Sequence, residues 1–321
     1  MPSRWLSLVI VLFWIGTLGW FGYRELWPYW ATQEAPPFVI DLADEATPNN
    51  EVLWYVMRET GRGAPEEIGL ARTFLTYSNS DDTFELTSEL VDVRLQVMKM
   101  LTVRVPKMTN RYRVTRSGEL RGVDAEGELN AMSLSAEASF SAKVQGDVMV
   151  RSARIKLPFS AATEPKLENV PAPRGSVLNP LHPVSRIKGL KPGRRWTMPV
   201  VNPLADVAEP VVNAALNQVK LLEKPVNIQL PENPKELYAE VLTEIAKIKF
   251  ENEDQDCYVI EYRGQDREVA GRTYVRVSDG LVIRQEATTM SEKFYLERVA
   301  AKDKVRARSG HQSFQPKKKK S

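Results

Sequence analysis

Histidine and cysteine, which carry much of the metal and redox chemistry of proteins, are scarce here: the 321 residues contain His182, His311 and Cys257 and no others of either type. A structural zinc site takes four ligands, mostly His or Cys, and a disulfide takes two cysteines. The sequence therefore excludes a His/Cys zinc cluster and an internal disulfide. A Ser-His-Asp triad would need one of the two histidines. His182 lies between Leu181 and Pro183, and we interpret it as a packed or hydrogen-bonded loop residue.

Other catalytic signatures are missing as well. No Gly-x-Ser-x-Gly elbow occurs, and Gly61-Arg62-Gly63 lacks the spacing of a phosphate-binding loop. Residues 81–82 and 251–256 are rich in carboxylates, but both lie between strand patterns, and the longer run lacks the glycine of an EF-hand loop. We interpret both as solvated turns. Composition does not exclude a carboxylate pair for glycoside hydrolysis, so a hydrolase is kept as a third hypothesis. No metal and no cofactor are expected.

Long apolar runs are also rare, and a mean hydropathy of −0.33 excludes a polytopic membrane protein. One run stands out: residues 5–23 carry no charge and, at about 1.5 Å per residue in a helix, span roughly 28 Å, close to the thickness of a bilayer's hydrocarbon core. Trp5, Trp20, Trp27 and Trp30 lie near its ends, as in the aromatic belt of a membrane helix. The sequence therefore predicts an N-terminal anchor, residues 1–26, with its span at 5–23.

A cleaved signal peptide is the competing interpretation of this run. It would need a shorter apolar stretch followed by a small-x-small cleavage site, and neither the residues after Gly16 nor those before Ala31 supply one. Orientation rests on a small difference in charge: Arg4 and the terminal amino group precede the run, whereas Arg24 after it is offset by Glu25. We expect a single-pass protein of the cytoplasmic (inner) membrane, with its N-terminus in the cytoplasm and its main domain outside.

Most of the remaining sequence has the pattern of β-strands. Between residues 132 and 144, apolar or small side chains occupy every even position and polar ones every odd position, a period of two that indicates a strand with one buried face. The turn Gln145-Gly146-Asp147 leads into a second run at 148–157, which predicts a hairpin. Strands at short spacing predict a mostly antiparallel sheet. Further strand-like runs lie at 51–60, 68–77, 83–105 (expected to be broken or bulged) and 111–115, and then at 226–230, 257–262, 272–277, 281–286 and 293–299.

The two strand sets, 51–157 and 226–300, are separated by a crossover, residues 158–210, that contains ten of the 21 prolines. Proline removes a ladder donor, so this stretch cannot be a central strand. It is either a flexible linker or an ordered crossover laid over the sheet, and its many apolar residues favour the ordered version. We therefore expect a stalk at 27–50, one extracytoplasmic β-rich domain at 51–300 and a disordered basic tail at 301–321.

Helix is scarce in the expected fold. Residues 206–219 begin with an acidic cap and have helical apolar spacing, which predicts one short helix. Residues 237–250 are undecided, because Asn233-Pro234-Lys235-Glu236 resembles a helix start while the segment also alternates as a strand would; the neighbouring strands favour strand. The fold class is thus mainly β: a transmembrane helix, then a curved, half-barrel-like antiparallel sheet with few short helices and a long Pro-rich crossover.

The second strand set has a family resemblance. Residues 257–263 (CYVIEYR), the strand 273–277, the turn Ser278-Asp279-Gly280 and the strand 281–286 resemble the strand pair of bacterial envelope domains related to the lipoprotein-carrier (Lol-type) half-barrel. Residues 179–183 and 189–196 are similar to a loop of membrane-anchored, uncharacterised members of such families. The resemblance covers the last third of the chain. It implies a curved antiparallel sheet that holds an apolar cavity under a lid of helices or loops, and no functional residue of a carrier is matched.

The crossover carries a basic cluster that is a candidate binding site. Lys188, Lys191, Arg194 and Arg195 lie beside Trp196, and together they could hold an anionic headgroup, a glycan or a partner surface. The alternative is a charged loop that Trp196 clamps onto the sheet. In the second strand set, Cys257 begins an apolar strand and is expected to be a buried core residue.

The tail from Lys302 carries eight basic residues and one aspartate, a net charge of +7, which leaves −4 for the rest of the +3 chain. We expect it to be disordered, because it has few apolar residues. Such a tail would bind anionic lipid or polymer, chiefly through Lys317, Lys318, Lys319 and Lys320. Nucleic acid is not an expected partner of a domain outside the cytoplasm.

These observations favour a non-enzymatic function. The leading hypothesis is a binding module for a lipid, a lipoprotein or another apolar envelope ligand, and it follows from the fold resemblance. A structural or scaffolding protein of an envelope complex is the alternative. An enclosed apolar cavity of several hundred Å³ would favour the first, because ligand pockets have that size.

Overall fold

The computed structural model describes most of the β-rich part of the chain and a few positions before it. The described residues are 50–59, 63–97, 101–131, 134–158, 161–173, 184–200, 236–288 and 293–310, together with Phe13, Trp14, Thr17, Trp20 and Leu42.

Eight strands form the first half of the sheet, and each pairs antiparallel with its sequence neighbour. The hairpin predicted around Gly146 is confirmed: Gly146 has φ 62°, and Ala136, Phe140 and Ala142 on the even face of the strand before it are buried. The strands are β1 Val52–Arg58, β2 Glu66–Ser78, β3 Thr83–Val97, β4 Leu101–Val114, β5 Leu120–Ala131, β6 Leu134–Gln145, β7 Val148–Lys156 and β8 Val170–Pro171.

The first half differs from the sequence prediction in two places. The run at 83–105, expected to be broken or bulged, is two strands, β3 and the start of β4, and the separate run predicted at 111–115 is the end of β4. Pro106 lies inside β4, at a register shift between Arg104 and Lys107, where a strand tolerates the missing N–H. The second difference is β5, which was not predicted at all.

Seven strands form the second half of the sheet. Residues 237–250, undecided from sequence, form two strands that pair with successive parts of the same neighbour. The helix predicted at 206–219 and the strand predicted at 226–230 lie outside the described residues. The strands are β9 Arg195–Pro199, β10 Glu236–Val241, β11 Ala246–Phe250, β12 Glu253–Arg263, β13 Val269–Arg276, β14 Val282–Thr288 and β15 Lys293–Arg298.

The two halves join through the pairing of β1 with β15, the first and last strands of the chain. All 15 strands belong to one sheet, in the order β8-β7-β6-β5-β4-β3-β2-β1-β15-β14-β13-β12-β10-β9, with β11 beside β12. Every pair is antiparallel, and within the described residues β8 and β9 form the two edges. The prediction of one open, curved antiparallel sheet built from both strand sets is therefore confirmed.

The described parts of the Pro-rich crossover are ordered. It contributes β8 and β9, the two edge strands, which is where proline is compatible with a sheet. Between them, the Ile187 N–H donates to the Gly280 carbonyl (2.8 Å) and the Val282 N–H donates to the Ser185 carbonyl (3.0 Å). We call residues 184–190 the cover. Its apolar side chains Val184, Ile187 and Leu190 are buried.

The chain continues beyond β15 as a 3-10 turn, Ala301–Asp303, and a short helix, α1 Lys304–Gly310. The tail was expected to be disordered from residue 301, and these ten residues differ because they pack on the sheet. Ala307 is buried against Leu53, Leu70 and Val299. The Lys304 Nζ donates to the backbone carbonyl of Glu51 (3.0 Å), and Arg308 pairs with the carboxylate of the same residue. Residues 317–320 lie outside the described part of the chain.

The described positions of the predicted membrane span are helical and exposed: Phe13, Trp14 and Trp20 are all more than half exposed, and the Thr17 hydroxyl donates to the Phe13 carbonyl (2.7 Å). No helix within the described residues is both long and apolar enough to cross a membrane. The other residues of the span predicted at 5–23 lie outside the described part.

Candidate functional site

One face of the sheet is apolar across both halves. A single cluster of buried side chains runs from β7 through β1 to β9, and the cover is part of it. Trp54, at its centre on β1, is fully buried; its indole N–H donates to the Thr73 hydroxyl (3.1 Å), and the Arg298 guanidinium lies 5.5 Å from its ring. If the protein binds an apolar ligand, as the sequence analysis predicts, this apolar face is the expected binding surface.

The cavity against this face is small. It lies where Leu42 and the cover, through Val184 and Ser185, meet strands β1 to β4, and it measures about 40 Å³. Pockets for lipids and similar ligands are typically about 300–1,000 Å³. This cavity between described residues is therefore too small to hold an acyl chain, and it is not the enclosed apolar cavity of several hundred Å³ that would favour the carrier hypothesis.

The cover is held by polar contacts at the turn between β13 and β14. Arg298 donates to the Ser185 hydroxyl (3.0 Å) and carbonyl (3.3 Å), and Arg186 lies 3.9 Å from the Asp279 carboxylate. Asp279 accepts from two guanidinium nitrogens of Arg276, Nε (2.8 Å) and Nη2 (2.9 Å). This pairing, with the help of the Leu281 N–H, lowers the pKa of Asp279 to about 2, so the turn stays charged at physiological pH.

The structure places the residues of the predicted basic cluster in two different environments. Trp196 is fully buried in the apolar cluster with Met198, whereas Lys188, Lys191 and Arg195 are exposed and Arg194 is half-buried. Arg195 donates to Glu240 on β10 (2.9 and 3.0 Å), and this pairing raises its pKa. The arrangement agrees with the alternative weighed from sequence, a charged loop clamped by Trp196. Anion binding by these residues remains a prediction.

Cys257 is buried in a second, smaller cluster with Val259, Tyr274 and Ile283. Burial raises the pKa of its thiol to about 11, and the nearest polar contact is the Gln255 carbonyl at 3.6 Å. The thiol is therefore protonated and shielded at neutral pH, which agrees with the predicted core role.

Opposite the apolar cluster, the face of β2 to β7 is polar, and the strand register sorts its side chains into rows. One row runs Arg72, Glu89, Thr109, Glu126, Ser139, Arg154, each the cross-strand partner of the next. Ion pairs connect neighbouring rows, for example Arg111 with Glu126 (2.8 Å). Two adjoining surface grooves of about 630 and 750 Å³ lie over β4 to β7.

Comparison with known proteins identifies no family and no function for this chain. No family model and no curated protein sequence matches the chain. Among solved structures, one match is the crystal structure of a beta-barrel-like protein of domain of unknown function DUF1849 from Brucella abortus, with a TM-score of 0.36 and 8% identity, covering 78% of this chain and 95% of that chain. This similarity is too low to transfer a function or a residue role. The resemblance to the Lol-type carriers stays a prediction.

The polar face is the feature that sequence reasoning missed. Its rows depend on β5, which carries Glu126 and was not assigned from sequence, although residues 123–131 alternate between apolar or small and polar side chains. Without β5 the partners of β4 and β6 could not be assigned. The signals that were present are the polar even positions of β5 and the polar odd positions of β6, which indicate a solvent face but not which strands are neighbours. Among the described residues, no group of three or more His, Cys, Asp or Glu side chains is placed to hold a metal ion.

Proposed function

We propose that this protein is a non-enzymatic binding module, tethered to the cytoplasmic membrane by residues 5–23, that takes the acyl chain of an envelope lipid or lipoprotein against its apolar face. The fold is a mainly β, open and curved antiparallel sheet, which is compatible with a binding module. The membrane tether and the acyl-chain ligand are proposals that the fold alone does not establish.

One observation carries the proposal: the apolar face is continuous across both halves of the sheet, yet a separate loop, the cover, closes part of it. Apolar surface of this extent must be kept from water, since burial stabilises by roughly 25 cal/mol per Å². An acyl chain could replace the cover's side chains with little loss of burial, because Val184, Ile187 and Leu190 are themselves aliphatic.

The size of this cavity determines how a ligand would reach the apolar face. Because about 40 Å³ cannot hold an acyl chain, the ligand must displace the cover to enter. The contacts to be broken include the two backbone hydrogen bonds with Gly280 and Val282, the contacts of Arg298 with Ser185 and the ion pair of Arg186 with Asp279. The small cavity beside Val184 and Ser185 lies at the seam where such an opening would start.

A reversible cross-link tests this mechanism. Arg186 and Leu281 face each other as a bridge pair flanked by the two cover hydrogen bonds, a position where Cα atoms are about 4.5 Å apart and a disulfide can form. We expect the full-length Arg186→Cys/Leu281→Cys variant, purified in detergent, to take up dioleoylphosphatidylglycerol at least about tenfold less when oxidised than when reduced, measured by native mass spectrometry.

The reduced variant is the matched control, because it carries the same substitutions without the cross-link. Because Cys257 lies in the same buried cluster as Leu281, both forms also carry Cys257→Ala, so that a mass loss of two hydrogens reports closure of the intended disulfide. Equal uptake by the oxidised and reduced forms would show that the cover is not the entrance. If neither the wild type nor the reduced variant carries or takes up lipid, the acyl-binding function itself is wrong.

A further inference from the structure

The polar face of β4 to β7 carries a trough that the acyl-binding function does not use. Its two grooves, of about 630 and 750 Å³, share Glu126, Ser139 and Arg154 and so form one continuous depression. At about 4.8 Å between neighbouring strands, the trough extends roughly 14 Å from β4 to β7.

The register fixes the chemistry of the trough floor. Thr109, Glu126, Ser139 and Arg154 are successive cross-strand partners from β4 to β7. Partners on one face of an antiparallel sheet have Cβ atoms about 5 Å apart, so acceptor, hydroxyl and donor groups follow one another at that spacing. Segment 161–167 forms a rim, because Thr163 exchanges two backbone hydrogen bonds with Ile155 on β7 (2.7 and 2.8 Å).

Thr109 shows that this floor has unused hydrogen-bonding capacity. Its side chain is 1% exposed, and its hydroxyl has no hydrogen-bond partner in the described part of the chain. A buried hydroxyl without a partner is destabilising, because it has lost its hydrogen bonds to water without replacing them. By contrast, the Ser141 hydroxyl nearby donates to Asp124 (2.7 Å). The side chains of Lys107 and Arg154, in the same groove as Thr109, are more than half exposed and can rotate to admit a ligand.

The charges of the trough nearly cancel. A polyanion or a polycation would meet about as much repulsion as attraction, whereas a neutral ligand rich in both donors and acceptors would find a partner for each group. The charged lining residues are the basic Lys107, Arg111, Arg151, Arg154, Lys156 and Lys166 and the acidic Asp124, Glu126, Glu128, Glu137 and Glu164.

We infer that this trough binds a neutral saccharide chain. Each sugar hydroxyl both donates and accepts, which matches a floor where carboxylates, hydroxyls and guanidinium groups alternate along one row. A ligand hydroxyl at β4 would give the Thr109 hydroxyl its partner, and hydroxyls further along would bridge Glu126 and Arg154. The site lies on the face opposite the apolar cluster, so it is independent of acyl binding.

Calorimetric titration of the full-length protein in detergent tests the site, with chitotetraose and maltotetraose as neutral probes and a sulfated tetrasaccharide as the charged probe. We expect at least one neutral probe to bind with little dependence on salt, and the sulfated probe to bind more weakly. Thr109→Val, which keeps the shape and removes the hydroxyl, and Arg154→Gln should each lower the affinity about tenfold or more.

Arg94→Gln is the matched control, because Arg94 on β3 is as exposed as Arg154 (65% each) and lies outside the trough. It should bind like the wild type. Thr109→Val should melt at the wild-type temperature or above it, since it removes an unpaired buried hydroxyl, so lost binding would not reflect unfolding. Failure of both neutral probes to bind, tighter binding of the sulfated probe, or wild-type affinity in Thr109→Val would each overturn the proposal.

Discussion

Glu261 on β12 is a buried carboxylate that depends on two arginines. Its side chain is 5% exposed and accepts two hydrogen bonds each from Arg263 (2.9 and 2.5 Å) and Arg272 (2.9 and 2.7 Å). Burial alone would raise its pKa, but the two guanidinium groups outweigh burial and hold the pKa below its usual value. We expect Glu261→Gln to lower the free energy of unfolding by roughly 1–3 kcal/mol at neutral pH, measured by denaturant titration.

The pH dependence of this loss has a definite sign. Because the folded pKa of Glu261 is depressed, its contribution is complete above the ordinary carboxylate pKa and disappears as the pH falls through the folded value. The gap between wild type and Glu261→Gln should therefore shrink on acidification. Glu66→Gln, which breaks the exposed pair with Arg58, should cost less than about 1 kcal/mol. A gap for Glu261→Gln that is constant with pH would contradict the charged clamp.

At the scale of elements, substitutions at two turn glycines distinguish loss of cover docking from ordinary backbone strain in a turn. Gly280 (φ 73°) and Gly146 (φ 62°) both have the left-handed conformation that strains any other residue, but a Cβ on Gly280 would lie 2.4 Å from the Ile187 carbonyl oxygen, whereas one on Gly146 would meet nothing within 4 Å. We expect Gly146→Ala to cost about 1 kcal/mol and Gly280→Ala about 3 kcal/mol or more.

Hydrogen exchange locates the effect. In Gly280→Ala, peptides that cover residues 184–190 should exchange faster than in the wild type, because the turn can no longer accept from the Ile187 N–H at its present distance. In Gly146→Ala their exchange should be unchanged. Similar exchange of the cover in both variants would mean that the cover is not held by this turn.

A strand could be predicted from sequence only where its own residues mark its buried face and its ends. β6 was found because one of its faces is buried and its side chains alternate without interruption. A break or bulge was expected within 83–105, but its position between β3 and β4 could not be assigned, because residues 98–100 contain no Gly, Pro, Asn or Asp to mark a turn. β9 was missed because it lies among prolines, and its edge position, which makes them tolerable, is a property of the whole sheet.

The candidate sites were less predictable than the fold, for a physical reason. Lys188, Lys191 and Arg195 are neighbours in sequence, and the structure leaves them on the surface while Trp196 turns into the core. The trough combines residues such as Thr109 and Arg154 from different strands, and only the register of four strands brings them together. A local motif could reveal the first group but not the second.

At the scale of the whole molecule, the two ends of the folded unit meet. β1 and β15 pair at the middle of the sheet, and α1 returns to Glu51, the residue immediately before β1. The start of β1 and the end of the described chain in α1 therefore lie close together, whereas Leu42, within the predicted stalk, is buried in the apolar cluster. We expect a tail that starts at the end of α1 to reach anionic lipid headgroups only if the predicted anchor holds the domain against the membrane.

This arrangement makes the topology of the chain a test of the whole assignment. If residues 5–23 span the membrane with the N-terminus inside, alkaline phosphatase fused after Ser321 should be active in a bacterial host, because that enzyme needs disulfides that form outside the cytoplasm. The same fusion with Ile15→Arg, which costs roughly 2.5–3.5 kcal/mol at the centre of a span, should lose most of that activity. Mass spectrometry of the membrane fraction should find the peptide that contains Trp5 and Arg24 intact. A cleaved N-terminus would favour the signal-peptide interpretation instead, and an inactive phosphatase beside a fluorescent cytoplasmic reporter at the same position would place the domain inside the cell.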